Sequence, residues 1–133
     1  MIVVRTYEAT VAHVFRARHA VRLEDGRLEP PHDHEWRVSA TFRADRLDEP
    51  MGVVIDFAKA KAALEAAAGE LERIDLNAHA AFADKSSTAE HVAEYIACRL
   101  AESFAESGEG AALYSVTVTE ATGCQAAFYP QGA

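Results

Sequence analysis

Two stretches of this chain alternate apolar and polar residues with a period of two, and they constrain its fold more than anything else in the sequence. From Val11 to Val21 the odd positions read Val, His, Phe, Ala, His, Val, while Arg16 and Arg18 fall on even ones. From His32 to Phe42 the even positions read His, His, Trp, Val, Ala, Phe, and the odd ones carry Asp33, Glu35, Arg37, Ser39 and Thr41. Side chains of a strand point alternately to its two faces, so each stretch reads as a long strand with one face toward a core. The first is expected from about Ile2 to Val21 and the second from about His32 to Arg43. Between them Asp25-Gly26 supplies a turn and Pro30-Pro31 ends the loop.

Beyond Asp56 the period changes. Phe57, Leu64, Leu71 and Ile74, with alanines between, describe an amphipathic helix to about Ile74, capped by Asp56. Ser87 and Glu90 have capping-box spacing at the start of a second helix. Val92, Ile96, Leu100 and Phe104 recur along it before Ser107-Gly108 ends it. Tyr114, Val116, Val118 and Glu120 alternate with Ser115, Thr117 and Thr119 as a third strand. A fourth follows the Thr122-Gly123 turn, from about Gln125 to Tyr129. The predicted fold is α+β in the order ββααββ, an antiparallel sheet with two helices on one face. No linker, repeat or low-complexity tract divides the chain, so residues 1–133 read as a single domain.

The alternation puts His19, His32 and His34 on inward positions of neighbouring strands. An isolated H-x-H reads as two half-exposed polar residues near a loop, but three inward histidines are an uncommon choice for packing alone. Three imidazoles suit a Zn²⁺ ion with an open fourth position, and neutral ligands leave the metal its full charge for polarising a substrate oxygen. Glu120 interrupts the apolar face of its strand, where a carboxylate must be paired or hydrogen-bonded. It reads either as a strand-end residue turned to water or as an acceptor for paired N–H donors, such as the amidine edge of a pterin or guanine.

The net charge of −8 argues against nonspecific nucleic-acid binding. No apolar run approaches a membrane span, and no signal peptide is visible. Cys98 and Cys124 lack metal-motif spacing and read as reduced thiols, which leads to the expectation of a cytoplasmic protein. Cys98 reads as a packing or surface residue of the second helix, and His91 as a solvated one.

Five motifs in order give the chain a family resemblance. Phe15-Arg16-Ala17-Arg18-His19 is similar to an F-x-A-x-H motif, and His32-Asp33-His34 to an H-G-H motif. The run Gly52-Val53-Val54-Ile55-Asp56-Phe57 resembles the segment leading into a first helix, Ser87-Thr88-Ala89-Glu90 a P-T-[SA]-E motif, and Thr119-Glu120 a late T-E. Together they resemble the 6-pyruvoyl-tetrahydropterin synthase and 6-carboxytetrahydropterin synthase family over nearly the whole chain. The resemblance implies a tunnelling fold, in which subunits pool their sheets into a barrel as trimers or hexamers with active sites between subunits. It implies zinc on His19, His32 and His34, a pterin held by Glu120 with Thr88 nearby, and elimination of triphosphate from dihydroneopterin triphosphate.

The sequence also departs from that pattern. The family's catalytic cysteine would fall on Leu28 or Gly26, and no cysteine occurs between Val21 and Pro31. Its Asp-His pair falls on Glu72 and Arg73, or with a shift on Asp75 and Leu76, so the histidine is missing either way. Asp33 replaces the glycine of H-G-H. Candidates to restore proton transfer are Asp75, His79, Glu29 and Glu72, with Glu24 a further loop carboxylate and Cys124 a thiol across the turn from Glu120. Two functions follow as expectations: a zinc-dependent pterin lyase with an altered proton-transfer set, or a non-catalytic pterin- or purine-binding protein that keeps the fold and the metal site.

Overall fold

In a computed structural model of the chain, residues 4–105 and 113–130 are described. The first two strands form as the alternation requires: β1 spans Tyr7–His19 and β2 spans His32–Ala44. They pair antiparallel with Phe15 opposite Trp36 and His19 opposite His32. Phe15 and Trp36 stack with ring centroids 6.0 Å apart, and both are fully buried. β1 is shorter than expected at both ends. Residues 4–6 are not strand, and Ile2 lies outside the described residues. Past His19 side chains replace strand partners: the Asn77 amide accepts from Ala20 N at 2.9 Å and donates to Ala20 O at 2.8 Å, and Val21 N donates to Glu29 Oε1 at 2.9 Å.

The first helix, α1, spans Phe57–Gly69, with the Asp56 carboxylate accepting from Ala58 N at 2.9 Å. It stops five residues before the expected Ile74, at Gly69, the poorest helix former in the run apart from proline. Leu71 is nevertheless buried, because the chain turns there and then lies along the free edge of β1. Arg73 N donates to Arg16 O at 2.6 Å and Arg18 N to Ile74 O at 2.9 Å, with Arg73 in a left-handed conformation at φ 61°. Apolar spacing therefore marked buried positions correctly but not the path between them. Two short 3₁₀ turns follow, Leu76–Ala78 and Ala80–Phe82, which the sequence pattern did not signal.

The second helix, α2, spans Ala89–Phe104. Its cap is Thr88, whose hydroxyl accepts from His91 N at 3.3 Å, and not Ser87. Ser87 is buried instead, its hydroxyl 2.9 Å from Asn77 Oδ1. Ser107 and Gly108, expected to end the helix, lie outside the described residues. The last two strands, β3 over Leu113–Ala121 and β4 over Cys124–Phe128, join through a turn with Gly123 at φ 82°, the left-handed region that glycine enters without strain. β4 begins and ends one residue earlier than expected.

The sheet order is β1-β2-β3-β4, antiparallel throughout. Helix α1 lies against β1, and α2 against β3 and β4. The layer between sheet and helices is filled by Phe15, Trp36, Phe42, Leu64, Ile96, Leu100 and Val116, all fully buried. Truncating a buried aromatic such as Trp36 to alanine typically costs about 3–5 kcal/mol. At the His19 end of the hairpin the same inward face carries imidazoles where the rest of it carries hydrocarbon.

Candidate metal centre

The β1–β2 register brings the three histidines together on the inward face. Ring centroids lie 4.6 Å apart for His19 and His32, 5.2 Å for His19 and His34, and 4.5 Å for His32 and His34. Trp36 floors the cluster, 4.8 Å from the His19 ring and 5.9 Å from that of His34. His19 is fully buried, and the other two are partly open to solvent.

Two rings are fixed from behind. His19 Nδ1 donates to Ser87 O at 2.7 Å and His32 Nδ1 to Pro30 O at 2.9 Å. A carbonyl can only accept, so the proton sits on Nδ1 and each neutral ring presents a lone pair at Nε2. Outer carbonyls holding histidines in this way are the usual second layer of a metal site. Sequence reasoning missed both carbonyls, because a main-chain oxygen carries no residue signature and Ser87 is 68 positions from His19.

Glu120 completes the cluster. A register shift in the β3–β4 pairing between Thr119 and Ala121 falls at this residue, and such irregularities re-aim a side chain. Glu120 Oε1 lies 2.8 Å from His19 Nε2 and 3.2 Å from His34 Nε2. The ligand atoms of His19, His32, His34 and Glu120 all fall within 4.8 Å of one another. Among the described residues, His19 Nε2 is the buried side-chain nitrogen left without a hydrogen-bond partner. The nearby carboxylate does not satisfy it, since a lone pair and a carboxylate oxygen are both acceptors. A cation between them satisfies both, so this donor set fits a metal ion. Burial also pushes the His34 imidazole below its ordinary value, with Glu120 opposing and the neighbouring imidazoles reinforcing, which favours the neutral, ligating form.

One proton-transfer candidate joins this cluster. Glu29 Oε1 lies 3.6 Å from His32 Nε2 and accepts from Val21 N, with its side chain partly exposed. The others are engaged elsewhere. Glu72 Oε2 accepts from Arg16 N at 2.8 Å, Asp75 accepts from Asn77 N at 3.0 Å, and His79 Nδ1 accepts from Ala81 N at 3.0 Å, its ring packed on Phe82 and Tyr95. Glu24 is exposed on the hairpin loop. Asp33 sits on the opposite face, 3.3 Å from Arg18. Thr88 serves as the cap of α2. Cys98 and Cys124 are free thiols. His91 is half-buried rather than solvated, with Nδ1 2.6 Å from Ser86 O.

Comparison with known proteins agrees with this fold. The family model of 6-pyruvoyl tetrahydropterin synthase matches residues 8–131. The structure of Caenorhabditis elegans 6-pyruvoyl tetrahydropterin synthase is similar with a TM-score of 0.78 at 20% identity, covering 98% of this chain and all of that one. The Plasmodium vivax enzyme gives a TM-score of 0.75 at 18% identity over 95% of this chain and 98% of its own. A variant of the Plasmodium vivax enzyme, described as a catalytic-residue mutant with a glutamate replaced by alanine, matches at 0.76 and 17% identity over 95% of this chain and 98% of its own. No curated protein matches the sequence.

Proposed function

This chain belongs to the 6-pyruvoyl tetrahydropterin synthase family, and on that premise we propose that it is a zinc-dependent lyase acting on dihydroneopterin triphosphate or a related pterin. The observation that carries the proposal is the convergence of His19, His32, His34 and Glu120, with Glu29 beside them. His19, His32 and His34 hold the zinc. Bound there, it supplies Lewis acidity for charge developing on a side-chain oxygen as a carbon-bound proton leaves. Glu120 accepts the paired N–H donors of the pterin ring, with Thr88, the cap of α2, as a second contact to the pterin.

Glu29 takes the proton. Leu28 and Gly26 stand where the family's thiol is expected and neither can exchange a proton near neutral pH, nor can Arg73. Glu29 lies beside the metal ligands, with Oε1 3.6 Å from His32 Nε2, and the Plasmodium vivax enzyme supports the choice, since a catalytic residue there is a glutamate. Asp75, His79 and Glu72 remain the next residues to test; like Glu29 each accepts from a backbone N–H, but Glu29 is the one beside His32.

Residues 1–133 are read as one such domain, assembling into homo-oligomers, trimers or hexamers. The outer edge of β4, and the part of the β1 edge not taken by Arg73 and Ile74, favour that assembly, because pairing edges between chains removes unpaired backbone groups. No described helix is long and apolar enough to cross a membrane. The free thiols of Cys98 and Cys124 agree with a cytoplasmic location. The test is turnover of dihydroneopterin triphosphate by zinc-loaded protein, with pterin binding measured in the same samples. Product formation that needs both zinc and Glu29 supports the lyase. Tight binding without turnover supports the second reading, a non-catalytic pterin-binding protein, which the missing thiol and imidazole favour.

A further inference from the structure

The same cluster carries an inference about how the site is held before substrate arrives. Glu120 is read above as the pterin anchor, yet its oxygen lies 2.8 Å from one inward lone pair and 3.2 Å from another. Two ligand atoms on a tetrahedral zinc, each about 2.0–2.1 Å from the metal, stand roughly 3.3 Å apart. The carboxylate oxygen sits at ligand spacing from His34 Nε2 and somewhat inside it from His19 Nε2, and the four donors together make a closed set. A carboxylate that grips the ion cannot at the same time face the amidine edge of a pterin with the same oxygen.

We propose that Glu120 is the fourth ligand of the metal in the substrate-free protein and leaves it when a pterin claims the carboxylate. The inference rests on the proposed function for the metal and for the pterin. The exchange is one bond for another: the carboxylate–metal contact breaks, the pterin N–H donors bind the carboxylate, and the vacated position passes to a substrate oxygen. A physical reason for the arrangement lies in charge. Three neutral imidazoles and one carboxylate leave a divalent ion with one net positive charge, and removal of the carboxylate restores two. The metal is thus least acidic when no substrate is present and most acidic once the pterin has docked. His19 cannot yield in the same way, being fully buried with Nδ1 tied to Ser87 O, whereas Glu120 is partly exposed beside the hairpin turn.

The experiment has two arms, both at pH 8, where unperturbed imidazoles are neutral. In the first, zinc affinity is measured by chelator competition for the wild type, Glu120→Gln and His32→Ala. Loss of the fourth ligand should weaken zinc at least by the roughly 10- to 100-fold that loss of an outer partner costs. Equal affinity in wild type and Glu120→Gln overturns the proposal, while equal affinity in wild type and His32→Ala overturns the metal assignment beneath it. In the second arm, unsubstituted pterin, which has no side-chain hydroxyls for the metal, is titrated into zinc-free and zinc-loaded wild type. Competition for Glu120 should make it bind roughly fivefold or more weakly to the zinc-loaded form, and linkage makes zinc correspondingly weaker when pterin is bound. Equal binding to both forms overturns the exchange. Absence of pterin binding to either form defeats the proposed function instead, and the fourth-ligand assignment then stands or falls on the first arm.

Discussion

Just past α1, Tyr95 Oη donates to Glu70 Oε2 at 2.7 Å, and Arg99 reaches Glu70 Oε1 at 2.7 Å and Glu102 Oε2 at 2.7 Å. At the closed end of the β1–β2 hairpin, by contrast, His19 Nε2 and Glu120 Oε1 face each other at 2.8 Å, an imidazole lone pair against a carboxylate oxygen. Both clusters join elements distant in sequence, and both mix rings with carboxylates. In the helical cluster every charge meets its opposite and each donor has an acceptor, so it is complete without a ligand. In the hairpin cluster lone pairs point at lone pairs, and only a cation completes it. Polar groups alone do not mark a site; an imbalance of acceptors over donors does.

The sharpest way to break that contrast is Glu29→Gln. General acid–base groups contribute typically about 10²–10⁴-fold, so turnover should fall by that factor while zinc content stays unchanged. Unaltered turnover would remove Glu29 from the reaction. Next in size is the effect of the metal on stability. An ion that binds only the folded chain adds about 4 kcal/mol when present at a thousand times its dissociation constant. For a chain of this length that is a rise in Tm on the order of 10 °C, reversed by chelation. Tyr95→Phe should leave this shift intact, because its cluster does not involve the metal; a shift that vanishes in Tyr95→Phe would mean the two clusters are coupled.

Tyr95→Phe itself should cost about 1 kcal/mol and lower Tm by a few degrees, as loss of a half-exposed hydrogen bond does. The smallest effects are in pH. Burial, then Glu70, pushes the Tyr95 hydroxyl up to about 12, so its contribution is full below about 10 and lost as pH rises through 12. Arg99 and then Tyr95 hold the Glu70 carboxyl below its ordinary value. That contribution is present above the ordinary carboxylate range and lost as pH falls through the depressed value. Glu70 is more than one-third exposed, so screening keeps this below about 1 kcal/mol. Denaturant melts of Glu70→Gln should show a flatter acid limb, and an unchanged limb would assign the acid dependence elsewhere.

How much of this was legible in the sequence differs between the two clusters. Alternation alone placed His19, His32 and His34 on one face, because parity in a strand is a local property that survives without knowing its partner. Glu120 was legible as a misfit on an apolar face, but its approach to His19 was not. That approach depends on the β2–β3 register and on the irregularity after Thr119, both set by contacts far along the chain. The capping pattern missed by one residue, at Thr88 rather than Ser87, because Ser87 was drawn inward to Asn77. The pairing of Tyr95 with Glu70 left no trace, since residues 25 apart have no periodic relation that either helix would display.

If the hairpin cluster holds a metal ion, metal content reports it without an assay of activity. Wild type, His32→Ala and His34→Ala proteins would be equilibrated with zinc, dialysed and analysed for bound metal, with folding checked by circular dichroism. The wild type should hold about one zinc per subunit and either variant almost none. Full zinc content retained in both variants would contradict the metal assignment.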